Sequence, residues 1–398
     1  MSNSSPQGFP RELLQQSADA RRRYFETKVI AHQRLFQVYE DLLHVIRYPA
    51  GTSLILVSGP TGVGKTTLLQ RIVKQLVEDA ACDPTIPPDH IPVMAMEAPS
   101  PDSGNFSWKD YFTRALIAAD EPLVADKVAY ELGGTPQSEQ FPLSRRLTTP
   151  DLRRVLEKCL SHRRPRAFIV DEAQHIKKMA SGRRLLDQMD TLKSLANMTS
   201  TVHVLIGTYE LLGLMHLSAQ LSRRSVEIHF PRYHAEEPED LKEFKKLLRT
   251  FQRHLPLPEE PDLESHYAFF YEQCLGCTGM LKTLLNKALG AALEQEERTL
   301  TSQRWEQHAE PPQKLKDMLQ RIKQDEATLK NQNDESHRNT LREMLGLHAL
   351  PPQDGLLREE TSLSSTPPVT SPQSKSRRRV GQRNAKRDLI GRGAESAK

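Results

Sequence analysis

The chain has 398 residues, 27% of them charged and 37% hydrophobic, with a formal charge of +4; that is length enough for one large or two ordinary domains with appendages. No apolar run approaches the ~20 residues needed to cross a bilayer, and the opening Met1-Ser-Asn-Ser-Ser-Pro6 lacks a basic-then-apolar signal, so a cytoplasmic protein with no membrane partner is expected. Cys82, Cys159, Cys274 and Cys277 are too few and too scattered for a disulfide framework, and Cys274-Leu-Gly-Cys277 lacks the second ligand pair of a closed zinc site, so it reads as two small residues packed on a helix.

In chain order, polar residues 1–8 are expected to fray. Ile30, Leu35, Val38, Tyr39, Leu42, Leu43 and Ile46 then recur at helical spacing and predict an amphipathic helix over 27–47. Residues 54–66, Leu-Ile-Leu-Val-Ser-Gly-Pro-Thr-Gly-Val-Gly-Lys-Thr, read as a buried strand entering a G-x-x-x-x-G-K-T loop. Gly59 and Gly64 permit a backbone whose N–H groups point at phosphate oxygens. Lys65 reaches the β- and γ-phosphates, and the Thr66 hydroxyl ligates Mg²⁺. Leu68, Leu69, Ile72, Val73 and Leu76 share one face of the following helix, whose N-terminus favours anions. Gly59, Pro60, Thr61, Gly62, Val63, Gly64, Lys65, Thr66 and Thr67 are therefore the expected ATP-binding set; the competing reading is a decayed loop that binds nothing.

A Pro-rich connection around Pro84, Pro87 and Pro88 leads to a strand at Val93–Met96, a loop over 97–108 and a helix over Lys109–Ala119. Thr149-Pro150-Asp151 reads as a helix start capped by Thr149. Ala167-Phe-Ile-Val170 is a second apolar strand ending in Asp171-Glu172. A carboxylate there suits the Mg²⁺ that bridges terminal phosphates, and Glu172 can polarise a water for attack on the γ-phosphate. The competing reading is two solvated acids at a strand end. A helix carrying Leu185, Met189, Leu192 and Leu195 precedes a third strand, Val202–Ile206, which ends at Gly207-Thr208. Thr208 is placed either to hydrogen-bond the γ-phosphate or attacking water, or to cap the next helix. Arg223 and Arg224 close that helix before Val226–Phe230, either as a finger into a neighbouring subunit's phosphate pocket or as a cationic helix end.

Alternation of strands and helices indicates a mostly parallel sheet covered on both faces. After Phe230 the pattern turns helical, with Leu241, Phe244, Leu247, Leu248 and Phe251, then Leu281, Leu284, Leu285, Ala288 and Leu289, and no strand over 235–295. Lys282, near the start of the second of these stripes, touches the nucleotide from above or is an ordinary surface lysine. Residues 296–345 are charged and helical with thin apolar spacing, and show no helix-turn-helix reader. Residues 355–398 are Ser-, Thr- and Pro-rich and then basic, a composition that predicts disorder. From Lys375 to Lys398, nine Lys/Arg stand against Asp388 and Glu395, a net +7 that leaves the rest of the chain near −3. This tail reads as a nucleic-acid arm, a partner-docking peptide or a solubilising end.

Several strings together resemble one family: Gly51 through Thr66, Met96-Glu-Ala-Pro99, Phe168-Ile-Val-Asp-Glu-Ala-Gln-His175, Leu205-Ile-Gly-Thr208, Gln220-Leu-Ser-Arg-Arg224 and Ile228-His-Phe-Pro-Arg-Tyr233. The combination is similar to initiator-like AAA+ ATPases and, within them, to TniB/TnsC-type transposition regulators, over roughly residues 25–295. The resemblance implies an α/β AAA+ P-loop NTPase with an α-helical lid and a bacterial, cytoplasmic setting. It implies a core at 27–234 and a lid at 235–295; composition and periodicity add an extension at 1–26, a charged helical extension at 296–354 and a basic tail at 355–398. Its cofactors are ATP and Mg²⁺, and it hydrolyses ATP. Such proteins form a ring or helical filament on double-stranded DNA and connect a target-selection protein (TniQ/TnsD-like) to a transposase. Lys109, Arg114, Lys177, Lys178 and Arg183 are the DNA-contact candidates, each alternatively a plain surface charge. Where many AAA+ lids present an Arg, this sequence offers Lys282. The alternatives are a replication-initiator or helicase-loader ATPase and a nucleotide switch with little hydrolysis; Glu172 argues against the last.

Overall fold

Five short apolar runs assemble into one parallel sheet: β1 (Leu54–Ser58), β2 (Val93–Glu97), β3 (Ala167–Asp171), β4 (Val202–Gly207) and β5 (Ser225–His229), in the order β2-β3-β4-β1-β5. The computed structural model describes residues 8–87, 89–101, 106–119, 148–179, 183–199, 201–215, 224–332 and 335–347. β1, β3 and β4 are buried along their whole length. A parallel sheet leaves both faces to be covered by the connecting helices, which is why these strands are continuous apolar runs rather than alternating ones.

Alternate side chains serve two cores. On one face Ile55, Val57, Ile169 and Val204 meet α2 (Gln33–Arg47) and α3 (Lys65–Ala81) through Leu42, Ile46, Leu68 and Ile72. On the other, Leu56, Phe168, Val170 and Leu205 meet α4 (Trp108–Ala118), α5 (Thr149–Arg163) and α6 (Arg183–Thr199) through Phe112, Leu156 and Leu195. All five strands point the same way. The segments that follow them therefore leave one carboxyl edge, the edge where open α/β sheets hold ligands.

Three local expectations need correction. The helix expected over 27–47 begins only at Gln33, as α2; before it come an extended strap at 28–32 and a separate helix, α1 (Ala18–Thr27). His32 stops α2 from extending backwards: its Nδ1 lies 3.4 Å from the Leu35 N–H it caps and 3.1 Å from the Tyr233 hydroxyl. Ile30 fitted the helical stripe only by spacing; with Phe25 it packs into a different core. The cap of α5 is Thr148, not Thr149, because the Asp151 carboxylate accepts from both the Thr148 N–H and its hydroxyl, closing a capping box. After β4 come a 3-10 turn at Tyr209–Leu211 and α7 (Leu212–Met215), and Arg224 sits in a turn directly before β5. Arg223 and the tail over 355–398 lie outside the described residues.

Beyond β5 the described chain is helical: α8 (Pro238–His254), α9 (Tyr267–Cys274), α10 (Thr278–Glu294), α11 (Ser302–Gln307) and α12 (Pro312–Gln332). Phe244, Phe251, Phe270, Leu281, Leu285 and Leu289 form their core, joined by Phe25 from the N-terminal segment and Trp305 from α11. The N-terminal residues thus belong with this helical region rather than with the sheet. Cys274 and Cys277 are buried free thiols, at the end of α9 and the cap of α10, and burial pushes the Cys277 thiol up to about 12. Leu315 and Ile322 of α12 pack on Leu275. Its Glu326 makes a bidentate pair with Arg232, 2.9 and 3.2 Å, at the junction of sheet and helices. All of this lies in one compact unit, Met1–Asn333. The second unit, Asp334–Lys398, has one described helix, α13 (Glu335–Met344), on which Leu341 and Met344 are exposed. No described helix is long and apolar enough to cross a membrane.

Candidate functional site

The loop at 59–66 turns the chain from β1 into α3. Gly62 (φ +80°) and Gly64 (φ +118°) take left-handed backbone conformations that a side chain would strain, and Gly64 caps α3. The first N–H groups of α3 are unpaired within the helix and open to an anion. Lys65 is only 6% exposed; its ammonium donates to the carbonyls of Gly59 (3.1 Å) and Pro60 (2.9 Å). Burial lowers its pKa, against the opposing pull of Glu172 and Asp171. An ammonium held under its own loop and attracted by two acids is available to a phosphate in the same place.

At the neighbouring strand ends, the Thr66 hydroxyl donates to Asp171 Oδ2 at 3.0 Å, across 105 residues of sequence. Two hard oxygen donors converge there, which fits a Mg²⁺ that takes one or two protein oxygens and completes its shell with phosphate and water. Asp171 Oδ1 accepts from the Glu172 N–H at 2.9 Å, and Glu172 itself has φ +51°. Its carboxylate accepts from the Gln174 side-chain amide, whose oxygen in turn accepts from the Thr208 N–H at 3.2 Å. The Thr208 hydroxyl is shielded from solvent with no hydrogen-bond partner. An orphaned hydroxyl at the carboxyl edge has the polarity to meet a phosphate oxygen or water.

The second helical region closes over this loop. The Gly279 N–H donates to the Gly62 carbonyl at 2.7 Å, and a Cβ on Gly279 would lie 2.6 Å from that oxygen. Between the loop and α10 lies a cleft of about 440 Å³. Thr61, Lys65, Thr66 and Glu172 line one side, Thr283, Lys287 and Gln273 another, and His308 and Glu310 a third.

Lys282 is not on this cleft. Its ammonium donates to the carbonyls of Glu26 (2.6 Å) and Lys28 (2.9 Å), tying the 28–32 strap to α10. The cation of α10 that faces the phosphate loop is Lys287, with Nζ 3.8 Å from Glu310. Lys287 lies two turns beyond Gly279 on one helical face, a signal that periodicity contains but that does not rank one lysine above another. Arg224 stands at the amino edge: its carbonyl accepts from the Ser53 and Leu54 N–H groups, and its guanidinium donates to Asn197 at 3.2 Å. The five residues of β1, about 16 Å, separate it from its own phosphate loop. Arg224 therefore does not reach its own phosphate loop.

Of the DNA-contact candidates, Arg114 pairs with Asp110 on the exposed side of α4 at 3.1 Å, and Lys109 lies on the same helix. Lys177 lies in the 3-10 segment Ala173–Met179 after β3. β2 and β3 are adjacent, so the segments after them leave the same edge. The side chains of Lys178 and Arg183 lie outside the described set. Sequence reasoning assigned no role to Gln174, Gln273, Lys287, His308 or Glu310. Gln174 alone carried a usable signal, as the polar residue two places after Glu172.

A family model described as an AAA domain matches residues 48–215. No curated protein is similar enough in sequence to count as a match. Among solved structures, the ORC2 protein of Aeropyrum pernix in its ADPNP–ADP complexes is similar with a TM-score of 0.50 and 18% identity, over 71% of this chain and 70% of that one. Its ADP form gives 0.49 and 16%, over 72% and 71%. The Walker-type ATPase PABY2304 of Pyrococcus abyssi gives 0.40 and 16%, over 80% and 81%. The five-stranded parallel sheet, its helical cover and its phosphate loop are the AAA+ P-loop NTPase fold.

Proposed function

We propose that this protein is an ATPase that regulates transposition, assembling on double-stranded DNA with ATP and linking a target-selection protein to a transposase. The carrying observation for the ATPase is convergence at one carboxyl edge: Lys65 under the phosphate loop, Thr66 against Asp171, and Glu172 facing the same cleft. Thr66 and Asp171 would hold Mg²⁺, which would neutralise phosphate charge. Lys65 binds the β- and γ-phosphates, Glu172 takes a proton from the attacking water, and Thr208 offers its unpaired hydroxyl beside them.

The transposition part rests on the strings Glu97-Ala-Pro99, Asp171-Glu-Ala-Gln-His175 and His229-Phe-Pro-Arg-Tyr233. The last has structural work here: Arg232 joins Glu326, and Tyr233 lies at the junction of sheet and helices with its N–H on the Gly276 carbonyl. A replication initiator or helicase loader of the same fold is the second reading, and it shares the ATP site. Residues 302–332 pack into the unit that holds the cleft, through Trp305, Leu315 and Glu326. Lys109, Arg114, Lys177, Lys178 and Arg183 are the proposed phosphate contacts on DNA, indifferent to base sequence. Arg223 or Arg224 is the proposed finger into a neighbouring subunit of a ring or filament.

The test is purified protein with ATP, Mg²⁺ and duplex DNA. Lys65→Ala is expected to abolish nucleotide binding and DNA assembly; Glu172→Gln is expected to bind ATP, stop hydrolysis and accumulate DNA-bound oligomers visible by electron microscopy. Nucleotide affinity unchanged in Lys65→Ala overturns the ATP site. Absence of any ATP-dependent assembly on DNA, or of any pull-down of a transposase encoded beside it, overturns the transposition role.

A further inference from the structure

Gln174 is 6% exposed, yet it is not a packing residue. Both ends of its amide are used: the nitrogen donates to a Glu172 carboxylate oxygen, and the oxygen accepts from the Thr208 N–H at 3.2 Å. It therefore bridges the end of β3 to the end of β4 through one side chain. The space it occupies is kept open from the other strand. A Cβ on Gly207 would collide with the Gln174 amide oxygen and, at 2.9 Å, press on the Leu211 side chain, and Gly207 has no positive φ that would otherwise call for glycine. Glu172 is fixed from its backbone as well, by its N–H on Asp171 and its carbonyl under the His175 N–H at 3.0 Å. Within this bracing, the Glu172 side chain still lines the cleft beside Lys65 and Thr66.

We infer that Gln174 is a positioning residue for ATP hydrolysis, holding one oxygen of the Glu172 carboxylate against the Thr208 backbone so that the other oxygen is presented to the attacking water. This rests on the proposed role of Glu172 as the group that accepts the water's proton. The physical basis is the cost of an untethered carboxylate. A glutamate has three rotatable side-chain bonds, and a general base contributes only when it lies within hydrogen-bond reach of the proton it takes. The Gln174 amide selects one rotamer and leaves one oxygen free. The bridge also links that rotamer to the Thr208 backbone, so a shift of Thr208 toward a ligand moves the acid with it. Gln174 touches neither phosphate nor water in this scheme.

The test compares wild type, Glu172→Gln, Gln174→Ala, Gln174→Glu, Gly207→Ala and the double variant Gln174→Ala/Gly207→Ala. Each is measured for binding of a non-hydrolysable ATP analogue with Mg²⁺, for kcat and KM, and for thermal unfolding. Gln174→Ala is expected to lower kcat at least tenfold while KM and analogue affinity stay within about twofold, the split expected when only transition-state stabilisation is lost. Gly207→Ala is expected to reproduce the loss by pushing the amide aside. The double variant is expected to be no slower than the worse single one, because both break the same bridge. Gln174→Glu keeps the shape but sets a carboxylate against Glu172, and is expected not to rescue. Unchanged kcat in Gln174→Ala, with Glu172→Gln inactive, overturns the inference and leaves the hydrolysis reading standing. Equal losses of affinity and kcat, or multiplicative losses in the double variant, assign Gln174 to structure and overturn it too. Full turnover in Glu172→Gln sinks the reading beneath both. If Gln174→Ala fails to fold, Gln174→Glu and Gly207→Ala decide by the same split, since Gly207→Ala alone also presses on Leu211.

Discussion

Glu326→Ala removes one partner of a buried ion pair and leaves the other. Arg232 keeps its 3.3 Å contacts with the Tyr271 hydroxyl and the Leu275 carbonyl, but loses both carboxylate bonds in a site where its side chain is 4% exposed. Neutral acceptors do not compensate a buried guanidinium, and breaking such a pair from one side costs about 3–5 kcal/mol. For a unit spanning Met1–Asn333, an unfolding entropy of ~2.1 cal/mol/K per residue converts this to a fall in Tm of roughly 4–7 °C. The paired change Arg232→Met with Glu326→Leu removes both charges and refills the volume; it is expected to recover most of the loss. Thermal unfolding by circular dichroism, checked against denaturant midpoints, measures all three. A Glu326→Ala protein within ~0.5 kcal/mol of wild type would falsify the idea that α12 is anchored by this pair. A double variant no better than Glu326→Ala would show that the charges themselves are not the issue.

Three further outcomes are expected. His203 is fully buried, both its ring nitrogens lack partners, and burial lowers its pKa to about 3. Its neutral form is required in the fold, so its contribution is fully present above the unfolded value of about 6.5 and is lost as pH falls from there toward about 3. His203→Phe is therefore expected to gain about 2 kcal/mol on wild type between pH 8 and pH 5; parallel stability–pH curves would refute this. Gly279→Ala places a Cβ 2.6 Å from the rigid Gly62 carbonyl, so it is expected to lift α10 from the phosphate loop at a cost of about 1–3 kcal/mol and to weaken ATP-analogue binding. Calorimetric titration giving wild-type affinity would show that this contact does not shape the site. Lys282→Ala frees the strap by removing two bonds to carbonyls, lowering stability by about 1–3 kcal/mol while leaving nucleotide affinity within twofold. Loss of nucleotide affinity with an unchanged Tm would return Lys282 to the role of nucleotide sensor.

The sequence by itself determined what is local and what is periodic. Strand-loop-helix at 54–66 needs glycines where φ is positive and a lysine and threonine at the helix start, and those requirements are written within thirteen consecutive residues. The strand that ends at Asp171 was readable because Ala167–Val170 is an unbroken apolar run that stops at an acid pair. The alternation of elements gave the parallel sheet, and the change of period after Phe230 gave the helical region. Spacing failed where a stripe runs past a helix end: Ile30 continues the stripe of α2 but lies in the extended strap before it, a break that His32 enforces through Tyr233, 201 residues away. It failed also at the start of α5, where Thr148 and Thr149 are equal candidates until the Asp151 side chain selects one. Which lysine of α10 faces the cleft came from packing: periodicity puts Lys282 and Lys287 on different faces, but only the places of Glu26, Lys28 and Glu310 show which face meets the cleft. The same holds for Gln174 and for Arg232 with Glu326: each acquires its role from a partner 34 or 94 residues away. A side chain's chemistry is fixed by its type, but the partner that engages it is fixed by packing.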